Sequence, residues 1–337
     1  MITIDGGQGH ASLAKRMTQE FAFDPAKDYN TWRSEIREKF LELVGIPSIE
    51  ANACPLRMEI ESDEMMDGYR RIRFVFESEI DTFVPCYLLI PDTGKESYPV
   101  AITLQGHSTG FHNSIGVVKY EKDVDYQPRG SFGLQAVARG FAALCIEQRA
   151  MGERKPAYPK FNCGFAVTNA FLLGRTVIGE RIWDISRAID LLGNFPQCDL
   201  DKILITGNSG GGTASYYAAC FDERIKISVP SCSFCGYESS IMSVLHCSCN
   251  FIPSALKYFE MQDLACLIAP RKVSVVTGAE DNIFPIEGVK ASFETLKTIF
   301  EKAGVPENAN LLVTPKGHWW CEDIVWPEIL RLTQEWF

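Results

Sequence analysis

The chain has 337 residues, 46% of them hydrophobic, and a formal net charge of -10. That content is ample for a buried core and excludes the disordered class, in which too little apolar surface is available to offset chain entropy. The acidic balance argues against nucleic acid and anionic membranes as partners, because both need a basic face to displace counterions; a neutral small molecule fits it better. The first residues, MITIDGGQGHASLAKRM, contain no apolar signal-peptide core, and no later run approaches the length of a membrane span. A cytoplasmic protein is expected, with its twelve cysteines held as buried or partly buried free thiols.

No linker, repeat or low-complexity tract divides the sequence. Residues 1–67 read as an N-terminal helical extension packed on a main domain, residues 68–337. Within the extension, Tyr29 to Val44 places Trp32, Ile36, Phe40, Leu43 and Val44 at helical spacing, and Gly45 with Pro47 stops the run. This helix leaves two roles open, a lid or an interface between identical chains. From Tyr69 the runs YRRIRFVFE and FVPCYLLIP alternate as an antiparallel pair does. VAITLQ, FAALCIE, KILITG, IKISVP, KVSVVTG and NLLVTP are continuously apolar, as strands buried on both faces are. Helices are expected at Ile182 to Leu192, after Ser209, after Pro285 and from Asp323 to Phe337. The alternation predicts a doubly wound α/β fold, a mostly parallel central sheet with helices on both faces.

Five residues, Gly207-Asn208-Ser209-Gly210-Gly211, join the strand KILIT to a helix start of small residues. A serine on so sharp a turn is held in strained backbone geometry, and the residues two before and two after it must be small to clear the adjoining strand and helix. In this setting G-x-S-x-G marks Ser209 as a nucleophile with Oγ raised above the sheet. A serine hydroxyl needs a neutral base. Of the five histidines, His318 in TPKGHWW follows the last strand and precedes the final helix, the place such a base takes. The acid should follow the preceding strand, where VSVVTGAEDNIFP supplies Glu280 and Asp281. Asp281 is preferred, since a short side chain is readily held by local turn hydrogen bonds, and Glu280 is its competitor. An oxyanion hole requires two backbone N–H groups. Gly210 offers one, and the loop Gln105-Gly106-His107-Ser108-Thr109-Gly110 offers the other through His107 or Ser108.

The ordered motifs QGHSTG, IEQRAMGER, RIWDISRAIDLL, GNSGGG, GAEDNIFP and GHWW resemble the acetyl xylan esterase and dienelactone hydrolase-like branch of the α/β-hydrolases, from about Tyr69 to the C-terminus. The elbow and the pair Trp183-Asp184 carry the resemblance most specifically. It implies the α/β-hydrolase fold, a triad of Ser209, Asp281 and His318, and oxyanion positions at Gly210 and His107. It also implies hydrolysis of short acyl esters, such as acetylated carbohydrate, through an acyl-enzyme and without a cofactor. Gln105 stands where that branch usually has a His-Gly pair, and Glu147-Gln148-Arg149-Ala150 replaces its Asp-x-Arg-Gly pattern. The rival readings are a catalytically silent binding module, against which the intact triad argues, and a peptidase of related fold, for which no propeller-like gate is visible.

Three further groups have structural readings. Arg149 and Arg154 are expected to pin the strand end to Glu147 or Glu153, and Trp183 and Asp184 to anchor their helix. Trp319 and Trp320 serve either the core or a sugar-stacking surface. Cys232-x-x-Cys235 followed by His246-Cys247-Ser248-Cys249 contains enough ligands for zinc. The crowding of His246, Cys247 and Cys249, and a helical reading of SSIMSVLHC, favour small thiols lining the pocket wall, with no metal.

Overall fold

The computed structural model describes residues 7–156 and 163–337. One sheet carries nine strands: β1 (Met58–Met65), β2 (Tyr69–Glu79), β3 (Thr82–Pro91), β4 (Tyr98–Leu104), β5 (Ala142–Ile146), β6 (Cys198–Asn208), β7 (Ile225–Ser231), β8 (Lys272–Gly278) and β9 (Ala309–Thr314). Their spatial order is β1-β2-β3-β5-β4-β6-β7-β8-β9. β1, β2 and β3 pair antiparallel, as does β3 with β5. All pairs from β5 across to β9 are parallel. The expected hairpin is in register, with Tyr69 opposite Pro91 and Phe74 opposite Cys86.

Every residue of β4 and β5 is buried because both sheet faces are covered. Val100, Ile102 and Leu104 of β4 join one core with Ile182 and Ile189 of the helix Val177–Leu192, Ala218 of Gly210–Phe221 and Leu296 of Ile286–Lys302. Ala101 between them joins a second core with Phe132 of the helix Phe132–Val137 and Trp326 of Glu322–Leu332. The period of two along a strand thus feeds two cores at once. The last helix stops at Leu332, short of the expected Phe337, and a separate 3-10 turn follows from Gln334 to Trp336.

The helix Tyr29–Val44 has the predicted bounds. Asp28 caps it by accepting from the Thr31 N–H at 2.9 Å, and Gly45 ends it at φ 85°. Gly45 is required twice over, since a Cβ there would lie 2.6 Å from the Arg175 Cα. Trp32, Ile36, Phe40 and Val44 are buried in the first core, whereas Leu43 is half-buried. The boundary expected at residue 67 falls inside the β1–β2 hairpin, so the extension contributes a strand to the sheet as well as helix. β1 is mostly exposed and charged, with Arg70 paired to Asp63 at 2.5 Å and Arg71 to Glu64 at 2.6 Å. Such a charged edge resists pairing with other chains. Among the described residues no helix is long and apolar enough to cross a membrane.

Candidate active site

From β4 the chain crosses to β5 on one side, then returns to β6 on the other side of β4. Loops leaving the carboxyl ends of β4 and β6 therefore diverge, the condition that opens a crevice in this class of sheet. A cleft of about 450 Å³ lies there, with Gly106, His107, Asn208, Ser209, Phe284 and His318 in its wall.

Ser209 sits between β6 and the helix Gly210–Phe221 at φ 57°, ψ -125°, a conformation costly for any residue with a Cβ. It is held there by its own N–H, which donates to the Ser231 carbonyl at 2.9 Å, and by its carbonyl, which accepts from the Thr213 N–H at 2.8 Å. The flanking glycines are dictated by contact. A Cβ on Gly207 would lie 2.7 Å from the Gly211 carbonyl carbon, and one on Gly211 would lie 2.7 Å from the Gln105 carbonyl oxygen. Ser209 is partly exposed on the cleft while Asn208 and Gly210 on either side are buried.

Across the cleft, His318 Nδ1 meets Asp281 Oδ2 at 2.9 Å. The other oxygen of Asp281 accepts from the N–H groups of Ile283 (2.8 Å) and Phe284 (3.0 Å), and the carboxylate is fully buried. Burial alone would raise its pKa, but the His318 ring and these two amides hold it below the ordinary carboxylate value. Glu280, by contrast, is exposed, and its N–H donates to Lys316 O. Phe284 stacks on the His318 ring at 6.0 Å between centroids, and Gly317 before it lets the β9 loop close on Glu280.

The loop after β4 packs directly on the elbow. A Cβ on Gly106 would lie 2.7 Å from the Asn208 carbonyl oxygen, and one on Gly210 would lie 3.0 Å from two atoms of the His107 ring. Gly210, as the first helical residue, has an N–H with no acceptor inside its helix. The loop is held from behind by Glu147, wholly buried, which accepts from Gln105 Nε2 at 2.7 Å and from the Phe111 and Glu153 N–H groups at 3.2 Å. Burial pushes Glu147 up to about 7, against the pull of those two amides.

Cysteines flank the same loop, in a different grouping from the one the sequence suggests. SSIMSVLHC forms turns instead of a helix. Cys232 and Cys235 are buried apart from Cys247 and Cys249, and His246 turns to Ser240 Oγ at 2.8 Å. Cys249 Sγ lies 3.3 Å from Cys247 Sγ and 3.2 Å from His107 Nε2, and Cys163 completes a set whose ligand atoms are all within 4.8 Å of one another. Burial opposes protonation of His107, but hydrogen bonds to Cys163 and Cys249 outweigh it and lift the imidazole to about 9. A second set, Cys232, Asp281 and His318, meets the same distance limit, but its imidazole Nδ1 already faces Asp281.

Arg149 and Arg154 make structural pairs, though not with the expected partners. Arg149 bonds Asp184 through Nε at 2.9 Å and also pairs with Glu79, and Arg154 reaches Asp184 at 2.7 Å. Asp184 is fully buried, yet these two guanidinium groups hold it at about 2. Glu147 is turned inward to the loop, and Glu153 pairs outward with Arg73 and Lys119. Trp183 Nε1 donates to Ser78 O, which fastens the same helix to β2. Of the paired tryptophans, Trp320 is core and donates to Gln135, whereas Trp319 is 41% exposed with the Arg129 guanidinium 3.5 Å from its ring centre. Arg129 itself lines the cleft, and nothing in the local sequence marked it.

The helix Tyr29–Val44 contributes no residue to the cleft wall.

Comparison with known proteins agrees with this architecture. The chain is 26% identical over 259 residues to "Putative hydrolase YtaP" of Bacillus subtilis, covering 75% of this chain and 83% of that protein. It is 23% identical over 210 residues to a 4-O-methyl-glucuronoyl methylesterase of Phanerochaete carnosa, covering 54% and 51%. Among solved structures, a putative acetyl xylan esterase from Bacteroides fragilis superposes with a TM-score of 0.83 at 15% identity, covering 99% of this chain and 96% of that one. A glucuronoyl esterase from Solibacter usitatus gives 0.69 at 16% identity, covering 95% and 97%. These two likenesses concern the fold, which is the α/β-hydrolase fold. The sequence profile of the abhydrolase family matches residues 7–215, more than half of the chain, and the chain belongs to that family.

Proposed function

We propose that this protein is a serine carboxylesterase acting through an acyl-enzyme. Ser209 Oγ attacks the ester carbonyl, and His318 Nε2 takes its proton and passes it to the leaving alcohol. Asp281 holds the imidazole tautomer through Nδ1 and stabilises the imidazolium. The N–H groups of Gly210 and His107 receive the oxyanion. Water, deprotonated by the same histidine, then releases the acid and restores Ser209. The observation that carries this reading is the strained Ser209 on a cleft shared with a histidine hydrogen-bonded to a buried aspartate. A silent binding module has no use for that strain.

The wall of the cleft includes Lys122, Asp123, Arg129, Asn208 and Asn250, which suits a polar ester better than a lipid. The names of the similar proteins, acetyl xylan esterase and glucuronoyl esterase, point the same way, and short acyl esters of carbohydrate are the substrate class. A second reading, an ester whose sugar bears a carboxylate, draws support from Lys122 and Arg129, neither of which has a carboxylate partner among the described residues. A cytoplasmic location accompanies either reading, supported by twelve cysteines of which only Cys54 and Cys247 are partly exposed.

Fluorophosphonate labelling and turnover of a p-nitrophenyl ester series from acetyl to octanoyl test the activity. Labelling at Ser209 and kcat/KM falling with chain length are expected. An unlabelled, inactive protein would overturn the reading. Comparing acetylated xylan with a methyl glucuronate ester separates the two substrate classes.

A further inference from the structure

We propose that His107 Nε2 and the sulfurs of Cys163, Cys247 and Cys249 form a structural zinc site beside the catalytic cleft. The four residues come from three separate places: the loop after β4, the first turn of the helix Cys163–Leu172, and the turn that carries Cys247 and Cys249. Their ligand atoms all lie within 4.8 Å of one another. Tetrahedral zinc with Zn–S bonds of about 2.3 Å spaces its ligands about 3.8 Å apart. The Cys247–Cys249 separation of 3.3 Å and the His107–Cys249 separation of 3.2 Å bracket that value from below, and the 4.8 Å limit brackets it from above. Shifts smaller than an ångström close the site, and Cys3His is a ligand set that zinc accepts.

Charge gives an independent argument. Arg181, 2% exposed, directs Nη1 at Cys249 Sγ (3.4 Å) and Nη2 at Cys163 Sγ (4.0 Å), and its remaining bonds go to the Arg149 carbonyl. Among the described residues no carboxylate pairs with it. A buried guanidinium needs a counter-charge, which thiolates supply and neutral thiols do not. Zinc with three thiolates and a neutral imidazole carries one negative charge, which Arg181 balances. Binding requires three thiolates and an unprotonated His107 Nε2, so the protons held by these four groups are released to solvent. A Cys247–Cys249 disulfide is the rival arrangement, but it would leave Arg181, Cys163 and His107 without a common purpose.

Four protein ligands fill the coordination shell, so the ion acts as a clamp with no open position for a substrate. It ties His107 to the segment around Cys247, and both line the cleft. If the reading of the His107 amide as an oxyanion donor is right, the clamp also sets that donor; the metal site itself does not depend on it.

The test is metal content, independent of ester turnover. Protein purified under reducing conditions without chelator should carry one zinc per chain. Cobalt in its place should give the intense near-ultraviolet thiolate-to-cobalt bands and the tetrahedral visible bands. Cys163→Ser should weaken retention of the metal against a competing chelator by at least about tenfold, whereas Cys54→Ser, remote from the cluster, should retain it. Should Cys163→Ser fail to fold, the wild-type metal content and cobalt spectrum still decide. Less than a tenth of an equivalent of zinc after growth in zinc-supplemented medium, with no cobalt bands from the reduced protein, would overturn the proposal. So would a native mass two hydrogens short together with a peptide map that places the disulfide at Cys247–Cys249.

Discussion

Of the three imidazoles in the cleft wall, two, His318 on one bank and His107 on the other, are treated in opposite ways. His318 meets an oxygen anion, Asp281, through Nδ1, stacks on Phe284 and keeps 22% of its side chain exposed. His107 meets sulfur, Cys249, through Nε2, lies against Gly210, and has the buried Arg181 behind its partner. On the first bank the carboxylate fixes one nitrogen, which in the proposed mechanism leaves the other for a travelling proton. On the second, Nε2 is engaged by sulfur although the residue as a whole is solvent-exposed, and in the proposed metal site it anchors the loop. On the proposed reading, the same side chain becomes a proton carrier or an anchor according to its neighbour.

The largest expected effect lies between the banks. Ser209→Ala should lower kcat on the order of a million-fold while leaving bound metal unchanged, since it alters neither imidazole. More than a few per cent residual turnover in purified protein would remove Ser209 from the mechanism. Next, Asp281→Asn should lower kcat by about ten-thousand-fold through a mis-set His318 tautomer. Glu280→Gln, exposed and outside the hydrogen bond, should change it little. The reverse order would return the acid's role to Glu280.

The second bank is sharpened through Glu147, which supports the His107 loop from behind. Its pKa rises from 4.5 to about 7 on folding. The folded chain therefore keeps a proton that the unfolded chain has lost, and Glu147 lowers stability as pH rises from about 4.5 to about 7, by at most about 1.4 kcal/mol per pH unit. Glu147→Gln should abolish that contribution, so urea unfolding across the window should show a flatter slope than wild type. Equal slopes would contradict the assignment. The smallest effect belongs far from both banks: Arg70→Ala, breaking the exposed pair with Asp63 on the β1 edge, should cost less than about 1 kcal/mol in the same assay. A larger loss would mean that the edge hairpin supports the sheet more than its exposure suggests.

Much of this molecule was legible without coordinates. Continuous apolar runs announced the parallel strands, because a strand covered on both faces has no solvent side to make polar. The spacing of Trp32, Ile36, Phe40 and Val44 announced the N-terminal helix. Gly207, Ser209 and Gly211 announced the elbow, because the turn itself excludes any Cβ at the two glycines. These are local properties of the backbone and of burial period. What the sequence could not determine is which loops meet. Glu280 and Asp281 are adjacent in the chain, and only the closure of the β9 loop turns one to His318 and the other to solvent. Arg149 and Arg154 found Asp184 on a helix thirty residues or more away in sequence, in place of the nearby Glu147 and Glu153. Cys232-x-x-Cys235 has the spacing of a metal motif yet takes no part in the sulfur cluster, while Cys163 and His107 join it from 84 and 140 residues before Cys247. Contacts between loop side chains depend on where the scaffold delivers the loop ends, and no short-range pattern carries that information.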